Sequence, residues 1–93
     1  MQTDEFEWDD DKAASNLIKH GVSFEKATFA FDDRKAHEED DDSGRYGEMR
    51  TKRIGMSGQR LLVVIFTERG RRIRIISARE AEPHEHVIYA LNR

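Results

Sequence analysis

Residues 60–81 read RLLVVIFTERGRRIRIISAREA. The first part, Arg60–Thr67, holds an unbroken apolar run from Leu61 to Phe66, rich in β-branched residues and too short for a core helix. Such a run predicts a central strand covered on both faces. Glu68–Arg71 contains a glycine and predicts a tight turn. Ile73 and Ile75 then alternate with Arg72 and Arg74, which predicts a second strand over 72–76 that pairs back on the first, one face apolar and the other carrying guanidinium groups. This hairpin fixes an antiparallel sheet as the frame of the molecule, and it raises the question of why fixed positive charge is set on a stiff element.

Working outward, residues 48–56 (EMRTKRIGM) alternate weakly and predict a further strand, with Glu48, Arg50 and Lys52 on one side. Ser57-Gly58 marks the turn into the central strand. Residues 35–39 predict an edge strand, and EEDDDSGRYG (38–47) reads as a solvated hairpin loop. Upstream, Asp9, Asp10 and Asp11 supply N-cap and first-turn charge for a helix that runs to about His20, with Gly21 at its C′ position. Its apolar side is Ala13, Ala14, Leu17 and Ile18, while Lys12, Asn16 and Lys19 share another side. Ser23 caps a second helix over about 24–31. Residues 5–8 (EFEW) read as a short strand or an anchoring arm. At the other end, Ser77-Ala-Arg-Glu80 has capping-box spacing. Pro83 suits the first turn of a last helix over about 83–92, with Val87, Ile88 and Leu91 toward the core and Tyr89 on the far side. The expected architecture is α+β: two N-terminal helices, a four-stranded antiparallel sheet and a C-terminal helix, in one domain over residues 1–93.

The chain has 93 residues, 37% apolar and 38% charged, with no cysteine. That excludes a disulfide frame, a thiolate nucleophile and cysteine-bound zinc, and fits a cytoplasmic protein. The acidic N-terminus lacks the apolar region of a signal peptide, and the run 61–66 is too short to span a bilayer. The net charge of −3 hides a division: residues 1–44 carry −9 and residues 45–93 carry +6, and ten of the eleven cations in the second part are arginine. Arginine grips phosphate and carboxylate through a planar fork, and phosphates respond to the nearest patch rather than to the whole molecule. His20, at a helix C-terminus, is suited to be a proton donor, a phosphate contact or a simple cap. His84 and His86 flank Glu85 two residues apart and do not share a helix face, so they make no metal motif. The sequence has no phosphate-binding glycine loop and no Ser-His-Asp order, and no cofactor is expected.

Two separated stretches carry a resemblance. Phe6–Ala27 (F-E-W-D-x-x-K-x-x-x-N-x-x-K-H-G-V-S-F-E-x-A) resembles the opening of BrnT-type toxins. Arg72–Ala81 (R-I-R-I-I-S-A-R-x-A), with Glu85 and Tyr89, is similar to their close. Glu48, Arg50 and Val63–Gly70 agree between them. The resemblance implies a ribonuclease toxin of a bacterial type II toxin–antitoxin system with a RelE-like fold. It also implies a BrnA-like ribbon-helix-helix antitoxin as partner, typically in a heterotetramer that reaches operator DNA only through the antitoxin. On that basis Arg50 and Arg74, with Arg79 beside them, are expected at the scissile phosphate. Glu48 is the expected base and His20 the expected acid, and Lys19, Lys52, Arg69 and Arg72 are expected on flanking phosphates. The competing expectation is a non-catalytic module whose arginines hold an acidic antitoxin segment, acting as co-repressor. The run EEDDD would repel RNA if it bordered the cleft. The sequence leaves open whether it does, lies on the far side, or meets a basic patch of the antitoxin.

Overall fold

A computed structural model describes residues 1–42 and 47–92. In chain order it contains β1 (Phe6–Glu7), α1 (Asp10–His20), α2 (Phe24–Thr28), a 3-10 turn (Phe29–Asp32), β2 (His37–Asp41), β3 (Arg50–Ser57), β4 (Arg60–Arg69), β5 (Arg72–Glu80) and α3 (Pro83–Leu91). The strands form one sheet in the order β1-β5-β4-β3-β2. The expected four-stranded antiparallel sheet is therefore corrected: the sheet has five strands and is mixed, because β1 runs parallel to β5. Two residues are too few to display alternation, so β1 leaves no periodic trace in the sequence. Its place is set by neighbours. Thr3 accepts the Phe6 amide at 2.9 Å, and the Ile73 amide donates to the Glu5 carbonyl at 2.8 Å.

β4 is central, as its apolar run requires, and each of its faces is covered by different elements. Leu62 and Val64 pack with Trp8, Val22, Phe24, Ala27, Ala30, Ile75 and Ala78 beneath α1 and α2. Leu61 and Val63 pack with Ile54 on the opposite face, against Ile88, Tyr89 and Ala81 of the C-terminal segment. Trp8 meets Phe24 edge to face with centroids 5.8 Å apart, and Phe31 meets Phe66 in the same way at 4.9 Å. This geometry suits the ring quadrupoles. Beneath the 3-10 turn, Gly55 leaves room that a side chain would not: a Cβ there would lie 2.8 Å from the Ala30 carbonyl oxygen.

Other expectations are corrected too. The second helix is α-helical only to Thr28 and tightens to a 3-10 turn through Asp32. The strand expected over 72–76 continues to Glu80, passing a register shift opposite Ile65/Phe66. Ser77–Glu80 is thus strand, and the capping box belongs to Glu82 and Glu85. The edge strand expected over 35–39 falls at 37–41, paired with β3, so residues 40 and 41 of the expected loop are strand; residues 43–46 of that loop lie outside the described residues.

The helix faces differ from those expected. On α1, Leu17 and Ile18 are exposed and Asn16 is buried. On α3, Val87 and Leu91 are exposed, while Tyr89 turns inward and donates to Asp33 at 2.7 Å. Each helix docks on a mixed stripe, Ala13 and Asn16 on α1 and Glu85, Ile88 and Tyr89 on α3, so apolar spacing alone misleads about the inward side. No helix among the described residues is long and apolar enough to cross a membrane.

Candidate RNA-binding site

The strand registers place the functional side chains. Thr51 lies opposite Phe66, so Arg50 comes level with Thr67; Thr67 lies opposite Arg74; Asp41 lies opposite Arg50; and Glu7 lies opposite Arg74. Directly opposed residues share a face. One row thus crosses all five strands on the α3 side of the sheet: Glu7, Arg74, Thr67, Arg50, Asp41. With neighbouring strands spaced about 4.8 Å apart, the backbones bearing Arg50 and Arg74 stand about 10 Å from each other, a span two guanidinium arms can close on one phosphate.

The row opens into a hollow of about 340 Å³ lined by Lys12, Glu48, Arg50, Thr67, Arg69, Arg74 and Ile76. Its arginines are paired with carboxylates. Arg50 donates from Nε to Glu48 at 2.5 Å, and Arg74 donates to Glu7 at 2.7 Å, with Arg69 at 3.9 Å from the same Glu7 oxygen. The hydrogen bond from Arg50 holds the Glu48 carboxyl below its ordinary range, and the charges of Lys12 and Arg69 act in the same direction. Thr67 donates to the Met49 carbonyl at 2.7 Å and ties down the start of β3 beside Arg50.

Of the residues expected from sequence, Glu48, Arg50, Arg69 and Arg74 are brought together. Lys19 and His20 line an adjoining hollow along α1 that shares Lys12 and Ile76 with the first. Arg72 lies apart. Its Nε donates to the Thr3 carbonyl at 2.7 Å, and it lines a hollow with Asp4 and Arg71 at the N-terminal arm. Arg79 and Lys52 are engaged elsewhere. Arg79 makes a fork with both carboxylate oxygens of Glu85 at 2.7 and 2.8 Å, and Lys52 reaches Glu85 at 2.8 Å. Glu85 is fully buried and also accepts the Glu82 amide at 2.8 Å. These contacts, led by the Arg79 fork, drive its carboxyl far below the usual range against the opposing effect of burial. The cluster clamps α3 over the far half of the same sheet face.

Sequence reasoning missed Glu7 and Lys12 as members of the site. Lys12 had a signal, since it shares a helix stripe with Lys19; Glu7 had none, since its partner Arg74 lies 67 residues away. Among the described residues no group of three or more histidines and carboxylates is arranged to hold a metal ion.

A small, mostly antiparallel sheet whose one face gathers arginines, a lysine and carboxylates in an open hollow, beside a helix-covered half, defines an α+β protein with a charged recess on its sheet. The family follows from comparison. A family model described as "Ribonuclease toxin, BrnT, of type II toxin-antitoxin system" matches residues 8–85, and the chain belongs to that family of ribonuclease toxins. Membership brings with it an antitoxin as partner. No curated protein matches the chain in sequence.

Proposed function

We propose that this chain is a metal-independent endoribonuclease, neutralised by a BrnA-like ribbon-helix-helix antitoxin in a heterotetramer, and that it meets operator DNA only through that antitoxin. The observation that supports the reading is the row Arg74–Thr67–Arg50 in an open hollow with Glu48 at its edge. In this chemistry a ribose 2′-hydroxyl attacks the adjacent phosphorus and expels the 5′-oxygen, leaving a cyclic phosphate. Three functions are needed: a base, an acid, and charge on the phosphoryl oxygens.

Arg50 and Arg74 supply the charge from strands that do not reorganise. In the resting site each is occupied by a carboxylate, so an incoming phosphate competes with Glu48 and Glu7. When Arg50 turns to the phosphate, Glu48 loses the hydrogen bond that holds down its basicity and becomes free to take the 2′-hydroxyl proton. His20, from the adjoining hollow, gives a proton to the leaving oxygen. Arg69 and Lys19 meet flanking phosphates. Arg79 and Lys52 act outside the hollow, fixing α3 through Glu85 over the neighbouring part of the same sheet face.

The test is incubation of free protein with RNA in EDTA. Cyclic phosphate ends are expected, with cleavage by Arg74→Ala reduced about 100-fold or more. Intact RNA together with tight antitoxin binding would instead establish the non-catalytic co-repressor reading.

A further inference from the structure

β5 does not run straight past the site. Phe66 pairs with Ile75 and Ile65 pairs with Ser77, so Ile76 is an extra residue without a partner on β4. Ile75 and Ala78 stay buried on the α1/α2 side, while Ile76 is half-exposed and forms part of both the arginine hollow and the hollow along α1. Bulges re-aim side chains in this way. Here the outcome is an apolar surface between two charged recesses.

The second recess, of about 460 Å³, has a composition of its own. Lys12, Ser15 and Lys19 follow at i, i+3 and i+7, one stripe of α1, with His20 at the helix end. Asp9 and Asp11 lie at the opposite end. Asp9 is committed to its own helix, accepting the amides of Asp11 at 2.8 Å and Lys12 at 3.2 Å. Asp11 is an exposed acceptor. A purely acidic peptide would meet Lys12 and Lys19 but also the repulsion of Asp9 and Asp11 beside Lys12. A nucleotide matches the whole set: phosphate for Lys12 and Lys19, an apolar base face for Ile76, and base or ribose donors for Asp11 and Ser15.

We propose that the α1 recess is a second nucleotide subsite, holding the RNA nucleotide one step beyond the pair joined by the scissile phosphate, with Ile76 as the platform beneath its base. The proposal rests on the ribonuclease reading of the arginine hollow. Substrates therefore extend across the β5 bulge, and single-stranded RNA fits this path because only an unpaired base can lie on Ile76.

The test uses fluorescently labelled 2′-O-methyl oligonucleotides, which bind without being cleaved, in lengths of two and five nucleotides. The pentamer is expected to bind wild type about tenfold more tightly than the dimer. Ile76→Ser is expected to remove most of that ratio, whereas Arg74→Ala weakens both lengths alike. Lys19→Gln, on an exposed helix position that spares the core, is expected to lower the salt dependence of pentamer binding by about 0.7 in log–log slope. A wild-type length ratio in Ile76→Ser with an unchanged slope in Lys19→Gln overturns the subsite while leaving the arginine hollow intact. Indifference of both lengths to Arg74→Ala overturns the underlying reading instead. Lost antitoxin binding with undisturbed RNA binding in the two α1-recess variants assigns the recess to the protein partner and likewise overturns the proposal.

Discussion

Glu85 shows how a single carboxylate can decide what its neighbours do. Arg79 and Lys52 look from sequence like members of a phosphate site, and their positions on β5 and β3 do face the right side of the sheet. What removes them is a buried anion from α3 that satisfies both. No local pattern could have shown this. Glu85 stands between two histidines in a helix start, and its partners come from two different strands. Replacing it with glutamine keeps the shape and leaves two cations facing an uncharged amide. Glu85→Gln is expected to lower stability by about 3 kcal/mol, read from the urea midpoint. The ionised Glu85 is also a pH sensor of stability. Its carboxyl titrates in the folded state far below the ordinary value of 4.5, so the unfolded chain takes up the proton first. The stabilisation is complete above about pH 4.5 and drains away as pH falls toward the folded value. Asp33 acts in the same direction: burial alone would raise its carboxyl, but hydrogen bonds from Tyr89 and from the amides of Met56 and Lys35 hold it below 3.8. The same bond pushes the Tyr89 hydroxyl up to about 12. The urea midpoint of wild type should therefore drop between about pH 5 and pH 3, and Glu85→Gln should flatten that drop.

Among the elements, the central strand was legible because burial on both faces leaves an unmistakable apolar run, and α1 was legible in extent because Asp9 and Gly21 cap it. Its orientation was not. α1 lies against the part of β5 that the short β1 leaves unpaired, and it docks there through a polar residue. The Asn16 side chain donates to the Ala78 carbonyl at 2.7 Å and the Val22 carbonyl at 2.9 Å, and accepts the Ala78 amide at 3.1 Å. One amide thus completes the edge of β5 as a neighbouring strand would, just past the Ile76 bulge. Hydrophobic periodicity is blind to such a contact, which is why Leu17 and Ile18 seemed the better anchors. Asn16→Leu should remove the Asn16 bonds to one amide and two carbonyls and cost about 2–4 kcal/mol, seen as a lower thermal midpoint. Loosened β5 should also show faster amide exchange at Ala78 than at Val64. Gly55 makes a complementary case on β3. Its φ is ordinary, but a methyl group would press on the Ala30 backbone, so Gly55→Ala should destabilise by about 1–3 kcal/mol despite the better strand propensity of alanine.

At the scale of the whole molecule, the charge division read from the sequence becomes a spatial arrangement that the sequence could not supply. The acidic half is not kept away from the arginines. β2 lies beside β3, Asp41 comes level with Arg50, and Asp40, Asp41 and Asp42 border a recess shared with Glu48 and Arg50. Strand pairing between segments whose connecting loop gives no register decides this, and no charge count can. On the proposed reading of the arginine hollow, an RNA strand entering it passes an anionic wall on the β2 side, which favours approach from the α1 side, where Lys12 and Lys19 stand. Repulsion of this kind acts through solvent and is screened by salt. Replacing the exposed Asp40 and Asp42 with asparagine should tighten binding of a 2′-O-methyl oligonucleotide several-fold at about 50 mM salt, where the Debye length is on the order of 14 Å, and by little at about 1 M, where it is about 3 Å. The fold should be unaffected, since neither side chain is buried. Equal affinities at low salt would mean that the strand never comes within reach of β2. A gain that persists at high salt would mean that the aspartates shape the cleft by contact rather than by charge.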